Sequence, residues 1–247
     1  MKNKFVLFGV PRVGSNYFIS LLNRHPDLRC HYEVFSADKV YLSWSDGLLE
    51  NHPDWLRFKD PAWRDADPIR FLHQLLHCGD ETIKGFNIFP NQNDDVIRHV
   101  CQSGEFAHVF IRRRNLLRSY ISQTIAENNN AWNSLKSNAL TLDDKRFSID
   151  VADFDRYQRR IQSFYASLMD QLQAAGTNYH LVEYEAFVGD REELNRCFAF
   201  LGLPAICDTQ DTVFQKENRE TVEQIIVNYS QLTDYCQDRG LTSWLGG

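Results

Sequence analysis

No apolar run in this chain approaches the roughly 18 residues that a bilayer-spanning helix needs, and a first strand signalled at Phe5 leaves no room for a signal peptide ahead of the core. A soluble, cytoplasmic protein is the expectation. A cationic excess is missing too. The 27 Lys and Arg stand against 33 Asp and Glu, for a net charge of −6. Apart from Arg112-Arg113-Arg114 the basic residues are scattered, which argues against a nucleic-acid partner. The cysteines, Cys30, Cys78, Cys101, Cys197, Cys207 and Cys236, include no C-x-x-C pair and no His at zinc-finger spacing. Reduced, buried thiols are therefore expected rather than a metal framework or disulfides. The chain also has no internal repeat and no low-complexity tract.

What it does carry begins at its first strand. The apolar run Phe5-Val6-Leu7-Phe8 is followed directly by Gly9-Val10-Pro11-Arg12-Val13-Gly14-Ser15-Asn16 and an amphipathic stretch to Asn23. A buried strand, a glycine-bearing loop and a helix start, in that order, aim backbone N–H groups and the positive end of a helix dipole at one point. Arg12 adds a planar guanidinium with a rigid donor fork, so the loop reads as a cradle for a phosphate-type anion. A Walker A loop would need Gly-Lys-Ser/Thr, with the lysine on the terminal phosphates and the hydroxyl on magnesium. Here Gly14-Ser15-Asn16 stands in that place and the cation comes two residues before the glycine, which disfavours ordinary ATP or GTP hydrolysis. Read alone, such a turn is a common structural device; its position at the first strand's carboxyl end, where open α/β sheets bind ligands, gives it weight.

Alternating elements follow. Strands are predicted at Phe5–Val10, within Arg29–Phe35, and at Thr82–Phe89, Phe106–Arg112 and Tyr179–Tyr184. Helices are predicted at Ser15–Asn23, Pro68–Cys78, Asp94–Gln102, Asn115–Asn128, Glu192–Leu201 and Thr221–Tyr229. The clearest helix places Phe154, Tyr157, Ile161, Phe164, Tyr165, Leu168 and Leu172 at three- and four-residue steps until Gly176. This βα order requires crossovers, hence a parallel sheet. A chain of 247 residues is compatible with one α/β domain over residues 1–247, with insertions at about 40–80 and 128–148. Trp44, Trp55 and Trp63 fall in the first insertion. They read either as a flat aromatic wall for an acceptor or as a helical cover packed on the sheet.

Pro11-Arg12-Val13-Gly14-Ser15-Asn16, with Leu21-Leu22 and His25-Pro26 after it, resembles the 5′-phosphosulfate loop of sulfotransferases that use 3′-phosphoadenosine 5′-phosphosulfate (PAPS), in particular their carbohydrate and bacterial Nod-factor-type branch. The stretch from Phe110 to Ser122 resembles that family's second signature, in which an arginine at a strand end and a serine eight positions on hold the 3′-phosphate. On this register the pair is Arg114 and Ser122, with Arg113 as the neighbouring alternative. Val182–Phe187 with Phe200-Leu201-Gly202-Leu203, and Lys216 with Asn228-Tyr229, fit less specifically. The resemblance implies a P-loop-NTPase-like central parallel sheet flanked by helices. It also implies PAPS as co-substrate, 3′-phosphoadenosine 5′-phosphate (PAP) as product, and no metal. Lys216 would approach the 3′-phosphate. The bacterial relatives need no membrane anchor.

In the same branch the His-Pro is followed by a Tyr-Glu-Pro-like element, and here His31-Tyr32-Glu33-Val34 has the glutamate at that offset with valine in the proline's place. An acceptor hydroxyl must lose its proton as it attacks sulfur, and a carboxylate within hydrogen-bond reach is a competent base. Glu33 is the expected base and His31 the alternative; the plain structural readings are a surface carboxylate and a half-buried strand residue. The function expected is PAPS-dependent transfer of a sulfuryl group to a hydroxyl of a small polar acceptor. A small-molecule kinase of the same broad fold and a catalytically silent nucleotide-binding protein are the alternatives.

Overall fold

The computed structural model of the chain describes residues 2–43, 55–132, 137, 139–188, 190–206 and 220–246. They fall into two compact units, Met1–Arg112 with Ser167–Thr212 and Arg113–Ala166 with Val213–Gly247.

The first unit is an α/β layer structure built on a five-stranded, wholly parallel sheet in the order β2-β3-β1-β4-β5. Its strands are β1 (Lys4–Phe8), β2 (Leu28–Glu33), β3 (Ile83–Ile88), β4 (Phe106–Arg112) and β5 (Tyr179–Glu183). This is the P-loop-NTPase-like sheet flanked by helices that the sequence led us to expect. β1 lies at the centre, and Phe5, Val6, Leu7 and Phe8 are all fully buried, which is why that strand reads as an unbroken apolar run. The sheet is crossed by α1 (Ser15–Leu22), then by α2 (Trp55–Phe58), α3 (Pro61–Ala66) and α4 (Pro68–His77), and by α5 (Asp94–Gln102). Each of the last three helices starts on an Asp or Asn whose side chain accepts a backbone N–H, from Asp60, Asp67 and Asn93. The tryptophan segment is a helical cover as far as it is described. Phe58, Trp63 and Phe35 pack edge-on around Phe71, and Phe35 reaches Phe86 of the sheet. Trp55 is buried beneath Lys59, while Trp44 lies outside the described residues.

The second unit contains α6 (Leu116–Asn129), α7 (Leu142–Lys145), the first part of α8 (Val151–Ala174), α11 (Val222–Ile225) and α12 (Tyr229–Asp238). The short helices α9 (Tyr184–Phe187) and α10 (Arg191–Leu201) belong to the first. One expectation is corrected here. The helix predicted over Thr221–Tyr229 stops at Ile225, and a separate helix starts at Tyr229 and runs to Asp238. Between them the chain is extended because Phe147 pairs with it, Phe147 donating to the Ile225 carbonyl at 3.2 Å and Val227 donating to the Phe147 carbonyl at 3.0 Å. Asn228 then clasps the backbone of Ile149 through both its amide groups, at 2.8 and 2.9 Å. Non-local pairing of this kind overrides helix periodicity. Cys30, Cys78, Cys197 and Cys236 are buried free thiols and Cys101 is a half-buried one; Cys207 is not among the described residues.

At the sheet centre Gly85 faces Phe5, and a Cβ added there would overlap the buried phenyl ring. Gly85→Ala is therefore expected to cost about 1–3 kcal/mol through overpacking, read as a lower urea midpoint at unchanged m. Wild-type stability in that variant would mean that Phe5 can move aside.

Candidate active site at the carboxyl edge of the sheet

β1 delivers the chain to residues 9–14, where the backbone turns through two left-handed positions, Arg12 at φ 68° and Gly14 at φ 88°. A side chain at φ > 0 costs on the order of 1 kcal/mol, and such conformations concentrate where a loop must meet a ligand. Gly14 has a second constraint. A Cβ at this position would overlap the ring of Tyr184, so the loop passes flat beneath that tyrosine. Gly14 is also the N-cap of α1, with no side-chain hydrogen bond at the cap and no acidic residue in the first turn. The N–H groups at the start of α1 thus have neither a capping side chain nor a carboxylate, which is the electrostatic preparation an anion needs. Pro11, Arg12 and Gly14 are half-buried, Val13 and Ser15 are buried, and Asn16 is exposed. Together, residues 11–16 fit a phosphate or phosphosulfate group.

β2 ends at the same edge, two strand spacings from β1, or roughly 10 Å. Its pairing with β3 shifts register between His31 and Glu33, an irregularity of the kind that re-aims a side chain at a strand end. Glu33 then sits in a tight turn, Val34 donating to the Tyr32 carbonyl at 2.9 Å, with Ser36 and Tyr41 both donating to the Glu33 carbonyl. Arg64, a buried residue of α3, holds the next residues by donating to the carbonyls of Val34 at 3.0 Å and Ser36 at 2.6 Å. The carboxylate is half-buried. Burial pushes its pKa up to about 7, Asp38 adds to the rise, and a hydrogen bond from Gln92 to Oε2 at 3.1 Å opposes it. Raised to that value, the group exchanges a proton readily at neutral pH.

His31 has the opposite environment. It is 1% exposed, its Nδ1 accepts the Ser43 N–H at 3.2 Å, and burial followed by the charges of Arg29 and Lys84 lowers its pKa to about 3. It is a neutral hydrogen-bond acceptor in the core, more deeply buried than a half-buried strand residue. His25 is structural as well, with Nδ1 accepting from the Asp27 N–H at 3.1 Å and Nε2 3.2 Å from the Pro204 carbonyl.

Of the three consecutive arginines, Arg112 belongs to the first unit and is engaged at the sheet, its Nε and Nη2 meeting Glu183 Oε1 at 3.1 and 2.7 Å. In the second unit Arg114 is exposed one residue before Asn115, the cap of α6, and Ser122 is buried on that helix. Sequence reading overlooked Arg118. Its guanidinium is pushed below its ordinary pKa by burial and then by the charge of Arg113, and it donates to the Glu220 carbonyl at 2.9 Å. The available signal was spacing: Arg118 and Ser122 are i,i+4 on one helix and share a face. Lys216 lies outside the described residues. Among the described residues no cluster of three or more His, Cys, Asp or Glu side chains could hold a metal ion, and no helix is long and apolar enough to cross a membrane.

A left-handed strand-to-helix loop and a carboxylate of raised pKa thus lie on one edge of the parallel sheet. Over 92% of its length the chain is 22% identical to nodulation protein H of Rhizobium meliloti (strain 1021), covering 89% of that protein. It is 23% identical to nodulation protein H of Rhizobium tropici, again over 92% of this chain and 87% of the relative. These full-length likenesses support a sulfotransferase family for the chain, in keeping with the Nod-factor-type branch its motifs resemble. A crystal structure of a sulfotransferase from Alicyclobacillus acidocaldarius aligns over 99% of this chain and 96% of that one, at 13% identity and a TM-score of 0.48, too distant to carry weight. No family model matches the chain.

The raised pKa of Glu33 has a consequence for stability. A carboxyl at about 7 when folded and 4.5 ordinarily contributes fully below 4.5, and that contribution is lost as pH rises through 7. Glu33→Gln should therefore be more stable than wild type at pH 8.5, by on the order of 1–3 kcal/mol, and close to it at pH 4.5. Urea titrations at the two pH values check this; a difference independent of pH would show that burial does not perturb the carboxyl.

Proposed function

We propose that the protein is a PAPS-dependent O-sulfotransferase acting on a hydroxyl of a small polar acceptor such as a sugar, a glycolipid head group or a polar secondary metabolite. The observation that carries this reading is a proton-accepting carboxylate at the same sheet edge as an uncapped, left-handed anion loop that lacks the Walker lysine and hydroxyl. A kinase would need the magnesium ligand this loop does not have. A silent binding protein would have no use for a half-buried carboxylate that costs stability at neutral pH.

The backbone N–H groups of Gly14, Ser15 and Asn16, with the Ser15 hydroxyl, hold the 5′-phosphate, and Pro11 and Val13 shape the turn that presents them. When bound, PAPS supplies the sulfuryl group. Glu33 takes the acceptor's hydroxyl proton as the new O–S bond forms. Arg12 stabilises the negative charge that gathers on the bridging phosphate oxygen as the old S–O bond breaks, by analogy with loose phosphoryl transfer. Arg114 and Ser122, with Lys216, are assigned to the 3′-phosphate by the family resemblance. The half-buried Arg113 and the buried Arg118 supply further positive charge to α6 in the second unit.

Calorimetry without magnesium should show PAP binding and ATP binding far more weakly. With PAPS and a panel of sugar acceptors, Glu33→Gln should still bind PAP and lose about 10²–10⁴ in transfer rate. Arg12→Ala should lose roughly a hundredfold in kcat, more than it loses in donor affinity. Magnesium-dependent ATP turnover in place of sulfation would make the kinase reading correct, and full activity in Glu33→Gln would remove the base from this position.

A further inference from the structure

Gln92 lies in the loop between β3 and α5, and β3 is the strand between the anion loop's β1 and the carboxylate's β2. Its side chain makes two hydrogen bonds. The carboxamide oxygen accepts the backbone N–H of Phe89 at 2.9 Å, and the carboxamide nitrogen donates to Glu33 Oε2 at 3.1 Å. The first bond decides the second. A backbone N–H can only donate, so the carboxamide oxygen must face Phe89, and the NH₂ is thereby turned to the carboxylate. Oε2 is occupied by this donor, and among the described residues no donor reaches Oε1.

From this geometry we infer that Gln92 is the positioning residue of the proposed base, fixing the Glu33 carboxylate through Oε2 so that Oε1 is the oxygen presented to the acceptor hydroxyl. The assignment rests on the sulfotransferase reading for its purpose, though not for its geometry. The bond suits both halves of a catalytic cycle. A carboxamide N–H donates to the Oε2 of a carboxylate, and it can still donate there after Oε1 has taken the proton, because Oε2 is then the carbonyl oxygen. The charged acceptor takes the stronger bond, so Gln92 also limits how far burial lifts the carboxyl. The other ionisable groups facing Glu33 come from the turn after β2. Asp38 raises its pKa, and Tyr41, whose hydroxyl donates to Asp38 at 2.9 Å, is held neutral with a pKa of about 12. Neither donates to the Glu33 carboxylate. Removing the carboxamide therefore removes the contact that favours the charged form.

The measurement is a ¹³C titration of glutamate side-chain carboxyls on the full-length protein, the Glu33 resonance being assigned by its loss in Glu33→Gln. In Gln92→Met, of similar length but with no polar atom to donate, the Glu33 midpoint should move upward by about one pH unit. The acidic limb of kcat should move with it, lowering kcat about fivefold at pH 7 while the KM for the donor stays within twofold. Gln92→Glu covers the case in which Gln92→Met does not fold, since its carboxylate still accepts the Phe89 N–H. It places a second acid against Oε2 and should also move the midpoint upward. A Glu33 midpoint unmoved in a folded Gln92→Met or Gln92→Glu variant overturns the inference and leaves Gln92 as a loop brace. The titration reports on Gln92 even if Glu33→Gln proves fully active, so failure of the base assignment and failure of this inference give different results.

Discussion

Parallel pairing of β1 between β3 and β4 is the constraint on which the first unit depends. A parallel strand cannot be joined to its neighbour by a hairpin, so every strand hands the chain on at the same edge of the sheet. The anion loop after β1, the Glu33 turn after β2, the Gln92 loop after β3 and Arg112 at the end of β4 lie on one edge for that reason. Burial of Phe5 to Phe8 on both faces fixes the height of β1 in the sheet. Slippage by one residue would exchange the sides of all four residues, and it would carry the loop with it.

That edge is organised at the expense of stability. Arg12 holds a left-handed conformation that side chains avoid, Gly14 has no room for a Cβ beneath Tyr184, and the first turn of α1 lacks the cap that other helices of the chain have. The backbone N–H groups at the start of α1 are thereby left without a capping side chain. Asp60, Asp67 and Asn93 cap α3, α4 and α5 with their own side chains, whereas the start of α1 has no such partner.

The sheet was legible in the sequence because parallel strands read as apolar runs and their crossovers as periodic helices; Asp94–Gln102 and Phe106–Arg112 match their predicted bounds. The break after Ile225 was not legible, because it depends on Phe147 and Ile149, some eighty residues away, which compete with local helix periodicity for the same backbone groups. The strand–loop–helix turn over residues 9–16 could be read from its residue types. Gln92 could not, since a glutamine in a polar loop has no periodicity or spacing to mark it, and its meaning comes from which backbone N–H its oxygen meets. Arg64 was hidden in the same way, as a cation on a cover helix whose work is to hold two carbonyls of a distant turn.

His31 and Glu33 show how the environment assigns chemistry to neighbouring residues. Two positions apart on one strand, they would ordinarily titrate about two pH units from each other, the histidine above the carboxyl. Burial reverses the order, because it disfavours the charged form of both: the imidazole falls to about 3 and the carboxyl rises to about 7. The cations Arg29 and Lys84 push the histidine further down, and Asp38 pushes the glutamate further up. A histidine so placed is neutral at neutral pH and accepts the Ser43 N–H. The glutamate, turned outward where the register of β2 shifts, is left as the one of the pair that can take up and release a proton near neutrality.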